Sequence, residues 1–207
     1  MTVDPNDFGC SGFRFKWGDH ICAVFDDRDQ QMEVMGQFVS IGLRASQRCV
    51  WVGRSASADR LRRALEDMGG DLATLDVSNQ LVFISDVAFY MEGGMFEPQR
   101  TLDLIGTLLA DGQRAGYGTM RVVNDVSWLR DQRLEAERWE QFEVQLTHDV
   151  SGLPLVMVCQ YDKTQLSGEM IVAAFRTHPV VILGDTVHEN PFYDASAVEQ
   201  VRARDIL

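Results

Sequence analysis

The sequence predicts a single α/β domain of three layers, in which helices cover both faces of a mostly parallel sheet of about six or more strands. Short apolar or β-branched runs alternate along the chain with longer segments of helical period, and this alternation is typical of a parallel sheet. The length of 207 residues is that of one ordinary domain. Since no long linker, internal repeat or low-complexity segment interrupts the chain, we assign residues 1–207 to one domain.

Six short runs are predicted as strands because each is rich in apolar or β-branched residues and is bounded by polar or turn-forming ones. In chain order they cover residues 21–25, 49–52, 81–84, 120–123, 155–159 and 180–183. Between them, apolar residues recur every three or four positions, as Met32, Met35 and Phe38 do in the first such segment. The predicted helices cover residues 31–45, 58–68, 102–115, 134–148, 168–175 and 195–203.

Residues 91–98 (MEGGMFEP) form the most loop-like stretch in the middle of the chain. The paired glycines beside Met95 and Phe96 are compatible with a flap over a cleft. We favour a surface connection with one apolar anchor, which explains the same residues.

The charge and the apolar pattern exclude several classes of protein. The formal net charge of −12 opposes contact with a phosphate backbone, so we expect no direct binding of DNA or RNA. No run approaches the roughly 20 apolar residues of a membrane span, and the first residues do not form a signal peptide. The four scattered cysteines suit reduced thiols better than a disulfide framework. We therefore expect a protein of the cytoplasm.

The chain has no phosphate-binding loop. In an open α/β sheet, phosphates are usually held at the turn between the first strand and the first helix. Here that turn, FDDRDQ at residues 25–30, has three acidic residues and no glycine. Neither of the two lysines, Lys16 and Lys163, closes a phosphate-loop motif. We expect that the protein neither binds ATP tightly nor hydrolyses it.

Histidines and cysteines were considered as metal ligands and as nucleophiles. His20 and Cys22 are two residues apart on one predicted strand, and Cys159 lies on another. These three are the candidate ligands, but without a C-x-x-C or H-x-x-x-H pair the pattern does not predict a metal site. Burial within apolar strands raises the pKa of a thiol, so a catalytic cysteine is not predicted either.

Two carboxylates follow strands at the edge of the sheet where ligands usually bind. Asp125 ends the fourth strand and Asp162 ends the fifth. Each could accept a hydrogen bond from a ligand, or could simply order the turn that follows its strand.

Five short motifs, taken in order, resemble the MEDS family of sensory domains, the family of the sensory region of the dichloromethane-responsive repressor. They are GDHIC (18–22), RVVNDVSW (121–128), CQYD (159–162), HP (178–179) and NPFY (190–193). The resemblance covers about residues 18–193. It implies a RecA/KaiC-like fold without a phosphate loop and a role in sensing, with hydrocarbon derivatives proposed as ligands. Related domains are often fused to a DNA-binding or histidine kinase module, and neither is recognised in this sequence.

The RecA-like strand order that this resemblance implies makes the first and fifth strands neighbours. Cys22 would then lie near Cys159, and His20 near Tyr161. Adjacent strands are about 4.8 Å apart, so these side chains can touch if they share a face. The cluster is either a polar-rimmed pocket or a packed core.

We therefore predict a stand-alone sensor that binds a small, largely apolar ligand and signals to a partner, either a histidine kinase or a transcription regulator. A homodimer is expected, since two-fold dimers are the commonest soluble assemblies. The alternatives are an interaction module without a small-molecule ligand and, third, a thiol- or carboxylate-dependent enzyme. The predicted ligand contacts are His20, Cys22, Phe25, Arg54, Tyr90, Asp125, Trp128, Cys159, Tyr161 and Asp162.

Overall fold

A computed structural model describes residues 3–25, 27–131 and 136–205. The strands are β1 (His20–Phe25), β2 (Arg48–Val52), β3 (Leu81–Ile84), β4 (Met120–Asp125), β5 (Leu155–Asp162), β6 (Val180–Leu183) and β7 (Thr186–Glu189). The helices are α1 (Arg28–Arg44), α2 (Ser55–Asp67), α3 (Leu72–Val77), α4 (Asp86–Tyr90), α5 (Pro98–Arg114), α6 (Ala136–Val150), α7 (Gly168–Thr177) and α8 (Ala195–Asp205). Two 3-10 helices, Glu92–Gly94 and Val126–Asp131, follow α4 and β4.

The strands form one seven-stranded sheet in the order β3-β2-β4-β5-β1-β6-β7. All neighbours are parallel except β6 and β7, which pair antiparallel. The predicted adjacency of the first and fifth strands is confirmed, with Cys22 paired to Cys159. The sequence missed β7 because its residues are polar and largely exposed at the sheet edge, where the alternation of apolar and polar residues is lost.

Successive strand residues point to opposite faces and produce two separate cores. In β1, Cys22 and Val24 enter the core on one face, whereas Ile21, Ala23 and Phe25 enter the core on the other. Helices α5, α6 and α7 supply residues to the first core, and α1 and α2 supply residues to the second. The predicted three-layer architecture is confirmed.

Most helices begin or end within a few residues of the prediction, and the differences have local causes. Helix α1 starts at Arg28 because Asp27 caps it, and α5 starts at Pro98, which suits a first helical turn. The predicted start of the fourth helix, at residue 134, lies outside the described residues. Helices α3 and α4 were missed because five or six residues are too few to show a helical period.

Arg121 ties the N-terminal segment to the sheet. This buried side chain donates to the carbonyl oxygens of Pro5, Asp7 and Phe38 and to Gln47 Oε1. Its guanidinium also lies 4.5 Å from the centre of the Phe38 ring. Arg121 therefore serves the fold, and it lies on the face of the sheet opposite to that of Cys22 and Cys159.

Among the described residues, no helix combines the length and the apolar character that crossing a membrane requires.

Candidate functional site

Four buried side chains that can each donate an electron pair meet between β1, β5, α6 and α7. They are His20, Glu143, Cys159 and His178, and their donor atoms all lie within 4.8 Å of one another. His20 Nε2 is 3.2 Å from Cys159 Sγ and 3.2 Å from Glu143 Oε2. His178 Nε2 is 3.4 Å from the same carboxylate oxygen. We call these four residues the buried polar cluster.

Each member is placed by the local structure of its element. His20 is the first residue of β1, and Cys159 lies at the register position of Cys22 on the neighbouring strand β5. Glu143 lies on the buried stripe of α6, together with Trp139 and Leu146. His178 is the C-cap residue of α7, two residues before β6 begins. The cluster therefore joins four elements that are distant in the chain.

The hydrogen bonds of the two histidines assign their tautomers. Thr147 Oγ1 lies 2.9 Å and 2.8 Å from two carbonyl oxygens, and its single proton is donated to them. Thr147 Oγ1 therefore accepts a hydrogen bond from His20 Nδ1, at 2.8 Å. His178 Nδ1 lies 2.7 Å from the carbonyl oxygen of Ala174, an acceptor, and so it also carries a proton. In both neutral rings, the lone pair of Nε2 therefore faces the centre of the cluster.

Burial makes the cluster electrically neutral in this state. Desolvation lowers the pKa of His20 well below its usual value, and that of His178 to about 4. Desolvation also raises the pKa of Glu143 to about 8, although the hydrogen bond from Tyr161 opposes this shift. The pKa of Cys159 is raised by desolvation and by the nearby Glu143. All four shifts favour the uncharged forms of the imidazoles, the carboxyl group and the thiol.

A line of hydrogen bonds leads out of the cluster. Tyr161 OH donates to Glu143 Oε1 at 2.8 Å and accepts from Trp139 Nε1 at 3.1 Å. Asn124 Nδ2 lies 3.7 Å from Cys159 Sγ. Asn190 Nδ2 donates to the carbonyl oxygen of His178 at 2.7 Å. The residues of the separate motifs CQYD, HP and NPFY thus support one site.

Trp139 also packs against four other buried aromatic rings. The Tyr90 ring stacks on Trp128 with centroids 4.9 Å apart, and the Trp128 and Trp139 rings meet edge to face at 5.7 Å. Phe96 and Phe142 complete this aromatic cluster. Tyr90 OH and Trp128 Nε1 are buried, and neither has a hydrogen-bond partner among the described residues.

An open groove of about 680 Å³ lies over the aromatic cluster. Its lining is mainly apolar in area and includes Val87, Met91 and Trp128, with Arg54 and Asp86 at its side. Met91 and Gly94, in the segment predicted as a flap or a surface connection, border this groove. The segment therefore lies beside a cleft, and Trp128 connects that cleft to the buried rings.

A second, smaller cleft of about 210 Å³ lies at the carboxyl ends of the strands. Asp125 and Asp162 line it, and each also accepts hydrogen bonds within its own turn, from Ser127 N and Thr164 N. Four arginines that the sequence did not single out as a group surround these acids. They are Arg28, Arg54, Arg60 and Arg130. The carboxyl edge of the sheet therefore carries more positive charge than the acidic turn at residues 25–30 indicates.

The ten predicted ligand contacts do not meet in one pocket. His20, Cys159 and Tyr161 meet at the buried polar cluster. Tyr90 and Trp128 belong to the aromatic cluster, and Arg54, Asp125 and Asp162 line the carboxyl-edge cleft.

Two predicted positions require correction. Phe25 cannot form a wall with Tyr90 and Trp128, because it points into the core on the opposite face of the sheet. Cys22 is buried in strand register with Cys159, yet it is not one of the four clustered donors.

Sequence reasoning missed Glu143 altogether and gave His178 no role in the site. Glu143 lies on an otherwise apolar stripe with Trp139, Phe142 and Leu146. A carboxylate on the buried side of an amphipathic helix is unusual, because burial of an unpaired charge is costly. That misplaced acid was the signal available in the sequence.

Comparisons with known proteins identify relatives of the whole site region. Residues 19–179 match the family model described as MEDS, the MEthanogen/methylotroph, DcmR Sensory domain. The chain is 20% identical over 169 residues to the transcriptional repressor DcmR of Methylorubrum extorquens, which covers 81% of this chain and 61% of that protein. The chain thus spans about three fifths of the length of this relative.

Among solved structures, a KaiC-like protein of Pyrococcus horikoshii OT3 is similar in fold. Its TM-score is 0.56 at 15% sequence identity, over 88% of this chain and 80% of the other. This likeness confirms the predicted RecA/KaiC-like fold.

Proposed function

Since the chain belongs to the MEDS family of sensory domains, we propose that it senses a small, largely apolar molecule in the cytoplasm and signals to a partner protein. The family membership carries the sensory and regulatory role itself. The ligand, its binding place and the partner are the parts that we infer. The partner that fits this role is a histidine kinase or a transcription regulator, and the relative named above is a repressor.

The observation that carries the proposal is the groove over the aromatic cluster. Sites for small molecules are concave, mostly apolar, and have a few placed polar groups. The groove lined by Val87, Met91 and Trp128 has this character, and its volume of about 680 Å³ is ample for a small hydrocarbon derivative. Arg54 and Asp86, which pair at 3.4 Å, provide the polar side.

Two buried groups below the groove strengthen this assignment. A buried N–H or O–H without a partner costs free energy, so such a group commonly binds a ligand or water. Trp128 Nε1 and Tyr90 OH are groups of this kind among the described residues. A ligand that enters from the groove and shifts the Trp128 ring would bring both groups within reach.

A change at Trp128 has a physical path to the sheet. The Trp128 ring contacts Trp139, whose Nε1 donates to Tyr161 OH on β5. Tyr161 in turn donates to Glu143 on α6. Helix α6 also packs against α7 and α8, so a shift of α6 can alter the outer surface that a partner reads. In a homodimer, the partner that reads this surface would be a second copy of the chain. Light scattering tests for the dimer by comparing the measured mass with the 23.3 kDa of one chain.

We also propose that the protein has no ATPase activity. Asp27 Oδ1 accepts from Asp29 N at 2.7 Å and from Gln30 N at 3.2 Å. These amides at the start of α1 are the groups that a phosphate-binding loop would present to a nucleotide. Because a carboxylate already binds them, this end of the helix does not favour an anion.

A titration with matched variants tests the ligand site. The probes are dichloromethane, a short-chain alcohol and toluene, and the readouts are tryptophan fluorescence and melting temperature. Val87→Glu places a charge in the groove at a side chain that is 61% exposed, and Val172→Glu places the same charge on α7 at one that is 51% exposed. We expect a response to at least one probe in the wild type and in Val172→Glu, and a loss of about tenfold or more in affinity in Val87→Glu.

Native mass spectrometry of freshly purified protein complements this test by detecting a retained small molecule. If no probe changes either readout and no mass is retained, the ligand-binding proposal is wrong. An equal response in both variants would place the site elsewhere.

A further inference from the structure

We propose that His20, Glu143, Cys159 and His178 bind a divalent first-row transition-metal cation, Zn²⁺ in the first instance, through four protein ligands. The sequence offered His20 and Cys159 as candidate ligands but did not predict a metal site, because the four members of this set come from different elements. None of the four lines the groove, so the proposal does not depend on the small-molecule ligand.

The spacing of the donor atoms is close to that of a metal site. Zinc bonds of about 2.0–2.3 Å in a tetrahedron place neighbouring donor atoms roughly 3.3–3.6 Å apart. Three of the distances within the cluster are 3.2, 3.2 and 3.4 Å, and every donor pair is within 4.8 Å. Closure of the remaining donor pairs, from at most 4.8 Å to this spacing, would complete the tetrahedron.

The lone pairs point the right way for a cation. His20 Nδ1 and His178 Nδ1 both carry protons that are donated to Thr147 Oγ1 and the Ala174 carbonyl. The Nε2 lone pairs of both rings therefore face the same oxygen, Glu143 Oε2. Lone pairs repel one another unless a proton or a cation lies between them.

Protons alone satisfy this arrangement poorly. A carboxyl proton on Glu143 Oε2 can bond to one imidazole but not to both, and only the weak S–H donor of Cys159 is left for the other. Glu143 Oε2 and His178 Nε2 are both fully buried without a hydrogen-bond partner among the described residues. Unpaired buried polar atoms that converge on one point are an independent indication of a cation site.

Charge balance also favours a divalent cation. Binding of M²⁺ would release one proton from the Cys159 thiol and one from the Glu143 carboxyl group, and the products are a thiolate, a carboxylate and two neutral imidazoles. The loaded site, with one divalent cation, one thiolate and one carboxylate, then has no net charge. Insertion of the cation thus avoids the large cost of placing a net charge in the interior.

The groups around the four ligands complete the site. Metal-bound histidines usually donate their other N–H to a carbonyl or hydroxyl group, which fixes the ring. Thr147 and the Ala174 carbonyl do this for His20 and His178. Tyr161 OH binds Glu143 Oε1 and leaves Oε2 for the cation. Four protein ligands fill a tetrahedron, so the site is of the closed, structural kind and not of the open, catalytic kind.

Cobalt provides a direct test, because tetrahedral Co²⁺ bound to a thiolate absorbs visibly and shows a sulfur-to-metal band in the near ultraviolet. The site is buried, so Co²⁺ or Zn²⁺ is supplied both to the native protein and during refolding of the full chain. We expect one equivalent of metal by elemental analysis, the thiolate band, and a higher melting temperature with Zn²⁺.

Two ligand variants and one control separate metal binding from simple loss of stability. Cys159→Ala removes the thiolate, and Glu143→Gln removes the carboxylate with almost no change of shape. Cys22→Ala removes an equally buried thiol on the adjacent strand. We expect metal affinity to fall by more than about 100-fold in the first two variants and to change little in the control. Loss of a residue that only hydrogen-bonds a metal ligand typically lowers affinity by about 10–100-fold, so a larger decrease identifies a ligand.

Circular dichroism establishes that each variant is folded before the metal is added. Absence of the thiolate band under both loading conditions would overturn the proposal. So would equal affinity in Cys159→Ala and Cys22→Ala, because a cation bound elsewhere would then explain the binding.

Discussion

His20 Nε2 lies 3.2 Å from Cys159 Sγ, so a ring on the first strand contacts a thiol 139 residues further along the chain. The contact exists because β1 and β5 are neighbours and both side chains point to the same face. The His20 ring also lies against the His178 ring, with centres 3.9 Å apart and planes tilted by 44°. Substitutions at this face therefore affect packing as well as chemistry.

Replacement of His20 or Cys22 should destabilise the metal-free protein to different degrees. Cys22 is fully buried and loses one sulfur atom in Cys22→Ala, so we expect a decrease of about 1–2 kcal/mol in the free energy of unfolding. His20→Ala removes a larger buried ring together with its hydrogen bonds to Thr147 and Cys159, and a decrease of about 2–4 kcal/mol is expected. Urea unfolding of both variants measures the difference, and a more stable His20→Ala than Cys22→Ala would contradict it.

Two buried tyrosines should respond in opposite ways to loss of the hydroxyl group. Tyr90 OH has no partner among the described residues, so Tyr90→Phe removes an unsatisfied group and should leave stability unchanged or raise it by about 1 kcal/mol. Tyr161→Phe removes the bonds to Glu143 and Trp139, and a loss of about 2–4 kcal/mol is expected.

Chemical denaturation of these two variants, with the same denaturant slope as the wild type, provides the measurement. A destabilised Tyr90→Phe would mean that its hydroxyl group has a partner in solution. If Tyr90→Phe is instead stable but responds less to the probes of the groove, a ligand contact is indicated.

The thiols should be almost unreactive in the folded protein. Burial and the nearby carboxylates of Asp185 and Asp7 raise the pKa of Cys10 to about 11, so only roughly one molecule in a thousand is a thiolate at pH 8. Cys22, Cys49 and Cys159 are buried, and desolvation raises the pKa of each.

Titration with a disulfide reagent at pH 8 should detect at most one slowly reacting thiol in the native chain and four after unfolding. Cys10→Ala serves as the control, since it should abolish the slow native reaction. Rapid reaction of two or more thiols in the native protein would argue for an activated cysteine and would reopen the enzyme alternative.

Mg-ATP should not stabilise the protein. The amides at the start of α1 are bound by Asp27, and two arginines of the carboxyl-edge cleft already have partners, since Arg54 pairs with Asp86 and Arg130 donates to Gln165. A thermal-shift titration to millimolar Mg-ATP is expected to show no change in melting temperature. A rise of several degrees would mean that the arginines of this cleft hold phosphates without a loop.

The sequence alone predicted the architecture because local patterns carry it. The short apolar runs became six of the seven strands, and the helical periods became the main helices. Motif order and the RecA-like strand order also predicted that β1 and β5 would be neighbours. Strand β7, which has polar and exposed residues, lacks such a local pattern.

Only the tertiary structure decided which side chains meet. Glu143 and His178 join His20 and Cys159 because α6 and the end of α7 pack over the β1–β5 pair, a relationship that no spacing in the sequence expresses. For the same reason, Phe25 was assigned to the wrong face and the three groups of predicted contacts were merged into one pocket. Periodicity records which residues are buried, since burial repeats with the helix or strand, whereas the identity of their neighbours depends on how distant elements pack.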